Sequence, residues 1–184
     1  MKKAAYLLHD GFELTEALGS LDILSRSRQI APFLLSDMEG LIVKSPCGVE
    51  VKADALIKDS RIEDFDFLIL PGGKQGVEGL FASDVAIAFI KEAKEKGKHV
   101  HAICAAPSIL GRLGYLKGVR ATCFPGFELG EANWEKDATV ITDKGTVTAR
   151  SMGYSLSFGH AIVKLEAGEE ADRQIAKGEL GLTI

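Results

Sequence analysis

Short apolar runs alternate along this chain with segments in which apolar residues recur every three or four positions. The runs at residues 4–8 and 65–70 are typical of buried strands. Residues 14–27 carry leucine and alanine at helical spacing, and residues 84–96 form an amphipathic pattern that ends at Gly97, a common helix C-cap residue. The same reasoning predicts further strands at 33–35, 41–43, 49–51, 99–103, 139–142 and 146–148, and further helices at 105–113, 154–167 and 169–177.

The order of these elements predicts the fold class. Strands that alternate with helices of about a dozen residues indicate an α/β protein with a mostly parallel sheet and helices on both faces. No internal repeat, low-complexity tract or long linker divides the sequence, so we expect a single domain over residues 1–184. In such open sheets ligands bind beyond the carboxyl ends of the strands, and the candidate chemistry is expected there.

Composition and charge narrow the function classes. The 184 residues are 46% apolar, which suits an ordinary core, and the formal net charge of −4 gives no electrostatic case for nucleic acid or an acidic membrane surface. The first apolar run stops at residues 9–11, too early for a signal-peptide core, and no span is long enough to cross a bilayer. Three widely spaced cysteines form neither a disulfide framework nor a zinc pattern. We therefore expect a reduced, cytoplasmic protein that uses no metal or other cofactor.

Cys104 occupies the most informative position in the sequence. It follows the predicted strand 99–103 and precedes a helix whose first turn holds Pro107, where the missing N–H is no loss. A thiol at such a corner stands near free N–H groups at the positive end of a helix, which predicts a lowered pKa and a reactive thiolate. The alternative is a small buried apolar residue, the fate of most free cysteines. The corner favours the reactive role, whereas Cys47 and Cys123 lack this context and are interpreted as structural.

Three loops leave the predicted carboxyl ends of strands and should meet at one edge of the sheet. They span residues 11–16, 71–73 and 103–107. Their convergence would bring a thiol, a carboxyl group and backbone N–H donors into one small pocket. Glycine lets the backbone approach a ligand closely. The donors expected to bind substrate or an oxyanion are the N–H groups of Gly72, Gly73 and Ala105.

Glu16 is the carboxyl group expected beside the thiol. It falls in the first turn of the predicted helix 14–27, on the side that should face the sheet. Partial burial there would raise its pKa and let it hydrogen-bond the sulfur or shuttle a proton. The alternative, which the local sequence alone favours, is a first-turn acid stabilised by the helix dipole. Glu13 is the rival carboxylate and is more typical of a solvated turn residue.

The four histidines offer no visible partner for the thiol. His99 and His101 lie upstream of Cys104 on the same strand and are expected to be buried or paired. His160 lies inside a predicted helix, where packed or surface positions are usual. His9 ends the first strand and is expected at the rim of the pocket. The sequence therefore does not predict a Cys–His dyad.

Four segments in this order and spacing resemble the ThiJ/PfpI superfamily. They are residues 11–16, Leu-Ile-Leu-Pro-Gly-Gly at 68–73, Ala-Ile-Cys-Ala-Ala-Pro at 102–107 and Ser-Met-Gly at 151–153. The resemblance covers nearly the whole chain and implies a flavodoxin-like three-layer sandwich that is usually a homodimer. It also implies that Cys104 is an oxidation-prone nucleophile hydrogen-bonded by Glu16. The rim of the pocket would then include His9, Phe124 and Ser151.

The sequence departs from parts of the superfamily pattern. Peptidase-type members place a histidine directly after the cysteine, where this chain has Ala105. Related glutamine amidotransferases need a later His-x-Glu, and this sequence contains none. Both departures argue against those activities. Cys47 stands before Gly48 where relatives often carry an arginine, and Phe124 lies in the Thr-x-x-Pro segment from which some relatives bring a histidine.

Two function hypotheses follow from the residues and the resemblance. The superfamily includes glutathione-independent glyoxalases, deglycases and stress chaperones. The leading hypothesis is an enzyme acting on small α-oxoaldehydes or their adducts, in which a Cys104 thiolate adds to the aldehyde and Glu16 moves the proton. The alternative is a redox-sensing stress or chaperone protein in which Cys104 is oxidised reversibly without significant turnover. A small carbonyl compound and a second copy of the chain are the expected partners, and nucleic acid and membranes are not.

Overall fold

A computed structural model describes residues 1–179 and contains a seven-stranded central sheet. The strands are β1 (Lys2–Leu8), β2 (Ile30–Ser36), β3 (Ile42–Lys44), β4 (Glu50–Lys52), β5 (Ala55–Leu56), β6 (Phe67–Leu70), β7 (His99–Ile103), β8 (Arg120–Ala121), β9 (Asn133–Trp134), β10 (Val140–Asp143) and β11 (Thr146–Ala149). The helices are α1 (Leu14–Arg26), α2 (Lys74–Ala82), α3 (Asp84–Glu95), α4 (Pro107–Arg112), α5 (Ser155–Ala167) and α6 (Glu169–Glu179).

The central sheet has the spatial order β10-β11-β7-β6-β1-β2-β5. Neighbouring strands are parallel except for the β10–β11 hairpin at one edge. The pairs β3–β4 and β8–β9 form two small separate ladders. Parallel pairing of β1, β6 and β7 places the carboxyl ends of these strands at one edge of the sheet, together with the loops that follow them.

The side chains of the sheet alternate between two apolar clusters, one on each face. Ala5 and Leu7 of β1 belong to a cluster with residues of α2, α3 and α4, whereas Ala4, Tyr6 and Leu8 belong to a cluster with residues of α1, α5 and α6. This alternation follows from the two-residue period of a strand. Helices cover both faces, which explains the nearly continuous apolar runs of the sequence. The flavodoxin-like three-layer α/β sandwich is confirmed.

Helix α2 is the main element that the sequence pattern did not predict. Two glycines interrupt its pattern and lower its helix propensity. Tertiary packing explains one of them, because a Cβ at Gly76 would lie 2.8 Å from the backbone Cα of Phe12. The helix therefore packs directly on the loop that follows β1. The predicted strand 65–70 begins at Phe67, and α4 is shorter than the predicted helix. Within residues 1–179, every helix is too short or too polar to traverse a lipid bilayer.

Candidate active site

Cys104 lies at the sharp bend between β7 and α4, as the sequence predicts. Its φ of 62° is in the left-handed region, which costs a non-glycine residue roughly 1–2 kcal/mol. Neighbouring backbone holds it there, because the Cys104 N–H donates to the Ala149 carbonyl at 2.8 Å and the Cys104 carbonyl accepts the Phe124 N–H at 2.8 Å. The side chain is half-buried. The bend thus presents the thiol at the carboxyl end of the sheet.

Glu16 is fully buried in the first turn of α1 and reaches the same pocket. Its Oε2 accepts the Gly72 N–H at 2.7 Å, and the Cys104 thiol is the side-chain donor beside the carboxyl group. Its Oε1 has no nitrogen or oxygen partner within residues 1–179. Burial raises the pKa of Glu16 to about 7, although the hydrogen bonds from Cys104 and Gly72 act to lower it. The carboxyl group therefore titrates near neutral pH, where it can both take and return a proton.

The Cys104 thiol has a raised pKa, so the expectation of a lowered pKa is wrong. Burial is the largest cause, and the Glu16 carboxylate adds to it because two adjacent negative charges repel. The N–H groups of Ala105 and Gly73 lower the pKa but do not outweigh these effects. Helix α4 spans only six residues, so its dipole contributes little. The thiol stays protonated at neutral pH until a base takes its proton, and Glu16 is the adjacent base.

Gly72 and Gly73 shape the pocket between the acid and the thiol. A Cβ at Gly72 would lie 2.6 Å from Glu16 Oε2 and 2.7 Å from the Cys104 Cβ. Gly73 has a φ of 87°, and its N–H faces the sulfur together with that of Ala105. The Gly72 N–H is bonded to Glu16. It therefore positions the acid rather than a substrate, which differs from the sequence expectation and leaves Gly73 and Ala105 as donors beside the sulfur.

Glu13 is not the acid beside the thiol. Its backbone N–H donates to the Gly72 carbonyl at 3.0 Å, which fixes the loop before α1. Its charge makes only a minor contribution to the raised pKa of Glu16. Glu16 does stand in the first turn of α1. The alternative that it is no more than a first-turn acid is wrong, because its buried carboxyl group accepts the Gly72 N–H from outside the helix.

The three predicted rim residues differ in their placement. The Phe124 N–H donates to the Cys104 carbonyl at the elbow, the sharp bend between β7 and α4, and Phe124 is 43% exposed. The ring of His9 occupies the space that a side chain at Gly79 would need, and its Nδ1 lies 3.1 Å from the carbonyl oxygen of the next residue. Ser151 lies two residues after the end of β11, and its hydroxyl makes no hydrogen bond with a residue in the range 1–179. Of the three, only Phe124 contacts the elbow by a hydrogen bond that the structure describes.

Sequence reasoning missed the contribution of Cys123 to the elbow. The buried Cys123 thiol donates to the Cys104 carbonyl at 3.1 Å. No local signal marks this contact, because it joins a side chain to a backbone oxygen 19 residues away. Cys47 is exposed, and a hydrogen bond with Ser45 Oγ at 3.1 Å lowers its pKa. Its interpretation as a structural cysteine stays a prediction.

His99, His101 and Glu166 form a polar cluster at the amino end of β7, away from the elbow. His99 Nδ1 lies 2.5 Å from Glu166 Oε1, and Lys2 Nζ lies 2.6 Å from Oε2. The three side chains are close enough together to ligate a metal ion. However, His101 Nδ1 accepts the Val147 N–H at 3.1 Å, so the neutral ring carries its proton on Nε2, the atom 3.4 Å from Glu166. A metal would have to displace that proton, and the cluster therefore fits an ion-pair network better.

Comparisons with known proteins point to one family. The DJ-1/PfpI family matches residues 2–165. DJ-1 homolog B of Arabidopsis thaliana is 31% identical over 93% of this chain, which spans 39% of the plant protein's length. A deglycase of Pyrococcus horikoshii is 32% identical over 64% of this chain and 72% of its own length. The structure of oxidised DJ-1 from Toxoplasma gondii matches over 100% of both chains with a TM-score of 0.89 and 26% identity. The chain therefore belongs to the DJ-1/PfpI family.

Proposed function

We propose that this protein is a stress-protective, cysteine-dependent enzyme that converts small α-oxoaldehydes such as methylglyoxal, or their adducts, without glutathione or another cofactor. Family membership supports a DJ-1-type stress-protective function, and the name of the Pyrococcus deglycase supports a carbonyl substrate. The observation that carries the proposal is the buried pair formed by the Glu16 carboxyl group and the Cys104 thiol, in which the pKa of Glu16 is raised to about 7.

In the first step, Glu16 takes the proton of Cys104 while the sulfur adds to the aldehyde carbon. A C–S bond forms, and the electron pair of the carbonyl π bond moves to the oxygen. The N–H groups of Gly73 and Ala105 hold that oxygen as it gains charge. Glu16 then returns the proton to the oxygen and gives a hemithioacetal. No free thiolate has to accumulate, which agrees with the raised pKa of the thiol.

In the second step, the ionised Glu16 carboxylate removes the hydrogen from C1 as a proton, and the proton is delivered to the C2 oxygen to give an enediol. Protonation of C2 and loss of the O1 proton then give a 2-hydroxy thioester. C1 is oxidised and C2 is reduced within one molecule, so no external oxidant is needed. Water cleaves the C–S bond, releases lactate from methylglyoxal, and the sulfur regains its proton.

Lactate formation by the purified protein with methylglyoxal, in the absence of glutathione, tests the proposal. We expect Cys104→Ser to abolish turnover and Glu16→Gln to lower it at least about 100-fold, the usual range for loss of a general acid–base group. Cys47→Ser is the matched control, because it removes an exposed thiol that lies outside the proposed reaction. Lactate formation that persists unchanged in the Cys104→Ser protein would remove the thiol from the mechanism.

A redox role is the second candidate for the same pocket. The match to an oxidised DJ-1 structure favours it. In this role Cys104 is oxidised by peroxide to the sulfenic and then the sulfinic acid. Intact-mass spectrometry after mild peroxide treatment separates the two functions. A gain of two oxygen atoms at Cys104 together with negligible lactate formation would favour the sensor over the enzyme.

We further propose that the protein acts as a homodimer in the cytoplasm. Several apolar side chains are exposed near the β3–β4 hairpin and the start of α5, and surfaces of this kind are often buried between subunits. They are Ile42, Val49, Met152 and Leu156. The three free cysteines suit a reducing compartment. Light scattering during size-exclusion chromatography should give the mass of two chains, and the mass of one chain would contradict the dimer.

A further inference from the structure

The strained bend at Cys104 depends on the groups that hold its carbonyl oxygen. That oxygen accepts two hydrogen bonds, one from the Phe124 N–H at 2.8 Å and one from the Cys123 thiol at 3.1 Å. Both donors belong to one loop segment, so a single segment fixes the peptide plane that follows the thiol-bearing residue. A rotation of this plane would change the backbone angles of Cys104 and redirect its side chain.

The supporting segment, residues 122–124, is itself anchored to the sheet. The Thr122 N–H donates to Thr148 Oγ1 at 3.0 Å, and Thr122 Oγ1 donates to the Ala138 carbonyl at 3.1 Å. Thr122 and Thr148 are both buried. The carbonyl of Cys104 is therefore held by donors whose own positions are fixed by β11 and by the chain before β10.

The Cys123 thiol acts as a donor and not as a second nucleophile. Burial raises its pKa to about 12, so the thiol keeps its proton at neutral pH. Cys123 packs in the apolar cluster on the α4 side of the sheet, whereas Cys104 packs against the cluster on the opposite side. The two side chains therefore face different layers, and Cys123 can influence the reaction only through the backbone of the elbow.

We propose that Cys123 is a positioning residue whose thiol, together with the Phe124 N–H, holds the Cys104 carbonyl and so aims the Cys104 thiol at Glu16. A serine at this position retains a donor, whereas an alanine does not. The effect on lactate formation rests on the proposed function. The orientation of the thiol does not depend on the proposed function, because alkylation of Cys104 reports it without any α-oxoaldehyde.

The test compares Cys123→Ala with Cys123→Ser, both in a Cys47→Ser background that removes the exposed thiol. Alkylation of Cys104 by iodoacetamide is followed by mass spectrometry. We expect Cys123→Ala to slow alkylation at neutral pH about fivefold, the factor that corresponds to one hydrogen bond of roughly 1 kcal/mol. Cys123→Ser should retain the rate of the background protein. Val119→Ala is the control for lost volume in the same cluster, at a side chain that makes no hydrogen bond to the elbow.

A double-mutant cycle separates positioning from a general loss of stability. Glu16→Gln should change the rate of Cys104 alkylation strongly in the Cys123→Ser protein and weakly in the Cys123→Ala protein. The reason is that the carboxyl group acts on the thiol only when the thiol points toward it. Equal effects in both proteins, or an equal loss of rate in Val119→Ala, would overturn the inference. If no variant forms lactate while this alkylation pattern holds, the proposed function fails and the positioning role stands.

Discussion

A single methyl group at Gly72 should disable the pocket while leaving the fold in place. The Cβ of an alanine there would lie 2.6 Å from Glu16 Oε2, 2.7 Å from the Cys104 Cβ and 3.0 Å from the Ile103 carbonyl oxygen. The backbone of Gly72 is not in the left-handed region, so the substitution adds a steric conflict and no torsional one. The side chain of Glu16 has to move because the other two contacts belong to the rigid elbow.

The magnitude follows from these contacts. Overpacking of a buried site costs about 1–3 kcal/mol, which for a domain of this size corresponds to a fall in Tm of roughly 2–12 °C. The displaced carboxyl group also loses the 2.7 Å hydrogen bond from the Gly72 N–H. A catalytic group misplaced by about 1 Å lowers the rate on the order of 100-fold. The expected signature is a large loss of activity with a modest loss of stability.

The assay combines lactate formation from methylglyoxal with thermal unfolding of the same preparation. Gly40→Ala is the matched control, because its Cβ would meet nothing within 4 Å and Gly40 is exposed outside the site. We expect the control to keep both the Tm and the rate. A Gly72→Ala protein with unchanged turnover would refute the close approach of acid and thiol across this glycine.

Three further predictions concern charged and reactive groups. Glu16→Gln should become more stable to urea than the wild-type protein as the pH rises from 4.5 to about 7, by about 3 kcal/mol at most. The reason is that the raised pKa of Glu16 makes its ionisation in the folded state unfavourable. Equal stability of both proteins at pH 8 would contradict this. Burial acts to raise the pKa of Glu166, but hydrogen bonds from His101, Lys2 and His99 lower it to about 2. These donors stabilise the charged carboxylate, so Glu166→Gln should destabilise the protein at neutral pH by roughly 2 kcal/mol. The difference in stability between this variant and the wild-type protein should shrink as the pH falls from 4.5 to about 2. The control Glu39→Gln, at an exposed side chain, should have nearly the stability of the wild-type protein. Cys47, exposed and with a lowered pKa, should be alkylated before Cys104 in peptide maps at neutral pH, and the reverse order would show that its thiol is not activated.

The sequence carried enough information for the layers of the fold and for the location of the pocket. Apolar runs and helical spacing predict the central strands and helices because each element buries its own face of the sheet. Cys104 at a strand–helix corner and the glycine pair at 72–73 are local features, so their meeting at one edge follows from parallel strands alone. The position of Glu16 in the first turn of α1 puts its side chain on the side that faces the sheet, but the local sequence alone favours a helix-dipole acid there. Only the resemblance to the superfamily implies that Glu16 lies beside the thiol.

The features that escaped sequence reasoning depend on tertiary contacts. The pKa of Cys104 was expected to fall because a helix start is visible in the sequence, but burial and the charge of Glu16 act only once the layers are assembled. The Cys123 thiol meets the Cys104 carbonyl through the same assembly. Helix α2 contains Gly76 and Gly79, which lower local helix propensity, and forms because it packs on the loop at residues 11–13.

The pH dependence of Cys104 alkylation shows directly whether Glu16 takes the proton from the thiol. In a Cys47→Ser protein, the rate should show an inflection near pH 7, the pKa of Glu16, and level off above it. In the matching Glu16→Gln protein this inflection should vanish and the rate should keep rising with pH, because burial still holds the thiol pKa high. An inflection near the ordinary thiol value of about 8.5, equal in both proteins, would show that Glu16 does not take this proton.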